Sequence, residues 1–80
     1  MSLAATTATP VTPPASGHRL VRIGNDTPDD LRVYETPGDD TTYFAIGAGL
    51  REEVEVWANS GVIAFYLYAI QAGTVVLIWQ

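Results

Sequence analysis

Carboxylates are the commonest groups here that could do chemistry. Asp26, Asp29 and Asp30 fall in one short stretch, Asp39 and Asp40 in a second, and Glu52, Glu53 and Glu55 in a third. A calcium loop needs several oxygen ligands converging at D-x-[DN]-x-[DN]-G spacing, and neither Asp stretch has it. Asp and Asn beside Pro and Gly read instead as turn residues that bond their own backbone. Glu53 and Glu55 alternate with Val54 and Val56, the pattern of a solvated strand face. Catalytic carboxylate pairs need a cleft and a perturbed environment. His18 is the only histidine, cysteine is absent, and the serines are Ser2, Ser16 and Ser60. No nucleophile–base pair can be assembled from that set. Gly24, Gly38, Gly47, Gly49, Gly61 and Gly73 punctuate turns and none precedes a helix, so no phosphate cradle forms. Asn25-Asp26-Thr27 fits a glycosylation sequon, with Pro28 following it. The expectation is a protein that is not an enzyme and holds no metal or cofactor.

Aromatic side chains are the remaining functional candidates. Tyr34, Tyr43, Trp57, Tyr66 and Tyr68 could stack on sugars or anchor a protein interface. Tyr66 and Tyr68 sit among aliphatic residues, which favours an interface. Trp57, beside Glu53 and Glu55, is a candidate ligand or partner contact.

The elements that position these residues are strands. Val62 to Trp79 carries no charge and is rich in Val, Ile, Phe, Tyr and Trp. A break at Gln71 to Gly73 predicts a hairpin in which Ile70 pairs with Thr74. One face then holds Ile63, Phe65, Leu67, Ala69, Val75, Leu77 and Trp79. The other holds Ala64, Tyr66, Tyr68, Ile70, Thr74, Val76, Ile78 and Gln80. Both faces are apolar enough to avoid water. Earlier strands are expected at His18–Gly24, Leu31–Thr36, Thr41–Ile46 and Arg51–Ala58, with Leu31 and Val33 inward and Arg32 and Tyr34 outward. Short strands joined by short turns describe an antiparallel meander. The fold expected is all-β: a small antiparallel sandwich or partly open barrel of about six strands, preceded by an extended N-terminal arm.

That arm is residues 1–17, mostly Ala, Thr and Pro, and the folding unit is residues 18–80. Pro10, Pro13 and Pro14 exclude a helix and favour extended backbone. With so little apolar side chain the segment is not expected to build a core. It is expected to lie across a neighbouring subunit through Pro10, Val11, Pro13 and Pro14.

Size makes the argument for partners. A chain of 80 residues buries only about 60% of the surface its unfolded form exposes. The second hairpin face therefore stays uncovered unless another subunit covers it, which nominates Tyr66, Tyr68, Ile70, Val76 and Ile78 as contacts. Net charge is −5 and the four arginines are scattered, so a nucleic-acid partner is not expected. The start lacks the basic and apolar regions of a signal peptide, which fits a cytoplasmic chain or a virion component. The run from Val56 to Gln80 could alternatively cross a membrane as a helix, although Asn59-Ser60-Gly61 and the Gln71–Thr74 break oppose that.

In overall layout, an Ala/Thr/Pro arm followed by an acidic, cysteine-free β-domain, the chain resembles the small head-decoration (cement) proteins and minor structural proteins of tailed bacteriophages. The resemblance implies a virion protein that clamps coat subunits by its arm and oligomerises through its β-domain. It rests on the layout and on no motif. A glycan- or peptide-binding β-module using the aromatic residues is the alternative, and a C-terminal membrane segment stands behind it.

Overall fold

The computed structural model describes residues 1–14, 20–35, 43–55 and 63–80. They form eight strands in two four-stranded antiparallel sheets. In chain order these are β1 (Ser2–Leu3), β2 (Thr9–Val11), β3 (Leu20–Asp26), β4 (Leu31–Tyr34), β5 (Phe44–Ile46), β6 (Arg51–Glu55), β7 (Phe65–Ala69) and β8 (Gly73–Trp79). Sheet A has the order β1-β8-β3-β6 and sheet B the order β2-β7-β4-β5. The sheets are open, so this is a sandwich and not a barrel.

Consecutive strands almost always change sheet. Only β4 and β5 are sequence neighbours that also pair. The two interleaved orders are the connectivity of a jelly roll, in which a hairpin-like ribbon is rolled so that its strands alternate between layers. The meander read from the turn spacing is therefore corrected. Short turns fitted both topologies, because crossing about 10 Å between layers needs no more chain than a tight hairpin.

The terminal hairpin is corrected in the same way. β7 pairs with β2 and β4, whereas β8 pairs with β1 and β3. Residues 70–72 carry the chain from one sheet to the other, and Ile70 does not pair with Thr74. The two-residue alternation survives this change. Phe65, Leu67, Ala69 and Val75 are buried, and Leu77 and Trp79 pack against them. Across the layers the Phe65 and Trp79 rings stack with centroids 6.2 Å apart. The expected inner face is the inner face except at Ile63, which precedes β7 and is 44% exposed. The expected outer face, however, is divided between opposite sides of the molecule.

Residues 1–14 form two short strands joined by a turn at Thr6, and they pair within this chain. Ser2 and Leu3 extend sheet A beside Thr74 and Gly73. Thr9, Pro10 and Val11 extend sheet B beside Leu67, Tyr66 and Phe65. Leu3 and Val11 are core residues. Few apolar side chains are needed when the sheet edges supply the hydrogen bonds and two residues at the right register fill the core.

The helical membrane span is also corrected where it can be seen: residues 65–69 and 73–79 are strands of different sheets. Among the described residues, no helix is long and apolar enough to cross a membrane.

Candidate partner-binding face

Alternation along β7 turns Phe65, Leu67 and Ala69 into the core and Tyr66 and Tyr68 away from it. The same rule along β4 buries Leu31 and Val33 and sends Arg32 and Tyr34 to the outer surface of sheet B. Register then aligns them: Arg32 pairs with Tyr68, and Tyr34 with Tyr66. On the far side of Tyr66 lies Pro10 of β2. Tyr43 enters β5 and stacks on Tyr34, centroids 5.3 Å apart and planes 29° apart. Tyr68 meets Tyr34 edge-on at 6.3 Å. The chain has four tyrosines, and all four converge on this one face.

Tyr34 is the floor of the cluster, 6% exposed, and Tyr43 lies over it at 40%. The Arg32 guanidinium carbon lies 5.7 Å from the Tyr43 ring centre and 5.9 Å from that of Tyr68, both within cation–π range. A hydrogen bond with Tyr34 holds the Arg32 pKa above its ordinary value, so Arg32 stays cationic wherever the protein folds. Among the described residues the ion pair is Arg22 with Glu53, 2.9 Å apart on sheet A. Arg32 has no carboxylate partner there. A cation held between aromatic rings, on a chain of net charge −5, suits a partner group that is planar, apolar or anionic.

The structure sorts the expected contact residues into four groups. Tyr66, Tyr68 and Pro10 share the outer face of sheet B, and Ile70 is half-buried just beyond the end of β7. Val76 and Ile78 pair with Gly24 and Arg22 on sheet A, on the opposite side of the sandwich. Ile78 is exposed there, whereas Val76 is half-buried. Val11 and Pro13 are buried in this chain's own body and Pro14 is exposed, so the four arm residues are not one contact strip. Trp57 lies outside the described residues. Arg32 is the functional candidate that sequence reasoning passed over. Its outward position in β4 was legible, but its register opposite Tyr68 was not.

The carboxylate stretches have other local roles. Asp29 accepts from the Asp30 amide at 2.7 Å, and Glu53 pairs with Arg22. No three His, Asp or Glu side chains converge among the described residues. His18, Asp39 and Asp40 lie outside those residues. Asn25 of the sequon is 1% exposed and its amide is fully bonded, which removes it from any glycosylating enzyme in the folded state.

The site is thus the aromatic and cationic face of a small jelly-roll sandwich. No family model matches this chain, and neither does a curated protein or a solved structure. A functional reading therefore stands on the face itself.

Proposed function

We propose that this chain is a non-enzymatic assembly subunit that docks a neighbouring protein on the outer face of sheet B. The observation carrying the reading is the convergence of Tyr34, Tyr43 and Tyr68 around Arg32, with Tyr66 on the same face beside Tyr34. Tyr and Arg dominate interface hot spots because they bring large contact area with few rotamers to freeze. Jelly rolls serve as capsid and lectin domains alike, so the fold supports a coat lattice as the setting only by analogy. The layout resemblance to capsid-decoration proteins supports the same setting.

Site-specific photo-crosslinking tests the docking. A crosslinker replacing Tyr68 is expected to capture a discrete partner protein, and one replacing Val76 on sheet A is not. The captured protein, purified, should bind wild type and lose at least about tenfold affinity for Tyr68→Lys. Equal capture from both positions overturns the proposal.

A second reading is favoured by Tyr43, which is 40% exposed while stacked on Tyr34, a platform for a sugar ring beside Arg32. Binding on a glycan array that Tyr43→Ala abolishes would select that reading instead.

A further inference from the structure

Sheet edges are where two chains most readily join, and among the described residues three of the four edges are blunted. β1 is two residues long. β2 carries Pro10, which lacks an N–H. β6 reads Arg-Glu-Glu-Val-Glu. Short length, proline and charge are the ordinary protections against edge pairing. β5 has none of them beyond its modest length. Tyr43 to Leu50 contains no charged residue, and Tyr43 and Phe44 are each 40% exposed.

The backbone of β5 can be oriented from its neighbours. The Asp30 carbonyl accepts from the Ile70 amide, so the even-numbered positions of β4 bond towards β7. Its odd-numbered positions therefore bond towards β5, which makes Leu31–Ile46 and Val33–Phe44 the hydrogen-bonded pairs. Ala45 lies between those pairs. Its N–H and C=O consequently point outward along an edge that no other described strand covers.

We infer that β5 pairs antiparallel with β5 of a second copy, about a two-fold axis through the Ala45 pair. The two Ala45 residues then exchange both backbone bonds, and Phe44 of each copy lies opposite Ile46 of the other. The small Ala45 side chain permits close approach on the outer surface. Charge speaks for a second copy meeting at this edge: each chain carries −5, and β5, unlike β6, is uncharged, so like-charged copies repel little there, while the other uncharged edges, β1 and β2, are blunted by length and proline. A two-fold axis also makes the contact self-complementary and closed. Its product is one eight-stranded sheet on which two tyrosine–arginine faces lie side by side. The inference rests on the edge and does not require the proposed partner of that face.

The test is the mass of the full-length chain by light scattering over a concentration series, with hydrogen exchange at the Ala45 amide. Wild type should be a dimer whose Ala45 amide gains protection as dimer forms. Ala45→Pro removes a donor that this chain's own sheet does not use, so it should give a folded monomer with an unchanged circular dichroism spectrum. Ala45→Lys, which places like charges at the axis, should weaken dimerisation at least about tenfold and covers the case in which proline disturbs β5. Tyr68→Lys should remain a dimer, which separates this contact from the docking face. A monomeric wild type, a dimer that both Ala45 variants leave intact, or a dimer dissociated by Tyr68→Lys alone overturns the inference.

Discussion

Asn25 ties the two sheets together at one end of the sandwich. Its Nδ2 donates to the carbonyls of Asp29 and Ile46, each at 2.8 Å, and its Oδ1 accepts from the Thr27 amide at 3.0 Å and the Thr27 hydroxyl at 2.6 Å. Its backbone meets the β5–β6 connection as well, donating to Leu50 and accepting from Gly49. Truncation leaves the buried Thr27 amide without a partner, takes one of two bonds from the Thr27 hydroxyl and the Asp29 carbonyl, and opens a void, and an orphaned buried group alone costs about 1–3 kcal/mol. Asn25→Ala should therefore lower stability by about 3 kcal/mol in urea unfolding, and a change under 1 kcal/mol would deny Asn25 this role. Gly73 makes the neighbouring contact. A β-carbon there would meet the Thr27 Cα at 2.8 Å, whereas one at Gly24 would meet Val76 at 3.6 Å, ordinary contact distance. Gly73→Ala should cost about 1–3 kcal/mol by overpacking, and Gly24→Ala should be near neutral, both read from the same unfolding curves. The sequence marked NDTPDD as a turn and could say no more. The decisive partner of Asn25, the Ile46 carbonyl, lies 21 residues away.

Strand identity was legible because a period of two needs only local information. All six expected strands are present as β3 to β8, and alternation named the buried side of each half of the C-terminal run. Partner choice was not legible. Gln71-Ala72-Gly73 suits a hairpin loop and an inter-sheet crossing equally, and the edges that decide between them are built from distant residues. The candidate site was accordingly half legible: Tyr66 and Tyr68 were placed correctly as outward, but Val76 and Ile78 were assigned to the same surface. Two lysine substitutions separate the two topologies. Leu67→Lys buries an unpaired charge at a fully enclosed position and should leave no cooperative thermal transition. Ile78→Lys should fold, since Ile78 is 43% exposed. It should also leave partner capture from position 68 unchanged, because it lies across the sandwich. A paired hairpin would have put Ile78 and Tyr68 on one surface, and Ile78→Lys would then abolish capture.

For the molecule as a whole, the N-terminal segment decides where the folding unit begins. Ala, Thr and Pro composition speaks against a self-made core, and that inference is sound for the segment in isolation. It fails here because Leu3 and Val11 insert into a core that the other strands supply, while Thr6 donates to Ala69 and Val75 donates to Met1. Burying Leu3 and Val11 contributes about 1.5–3 kcal/mol each. Their sum is a large share of the roughly 4–12 kcal/mol total stability expected for a chain this size. Removing β1 and β2 also uncovers the edges of β8 and β7, two apolar strands that carry no charge. A chain of residues 15–80 should therefore lose its cooperative thermal transition and aggregate, instead of surviving as an independent domain. Adding residues 1–14 as a free peptide should restore folding in proportion to peptide concentration, because the missing strands enter as ligands of the native state. A soluble 15–80 chain that melts within a few degrees of the full-length protein would make the segment a dispensable arm after all.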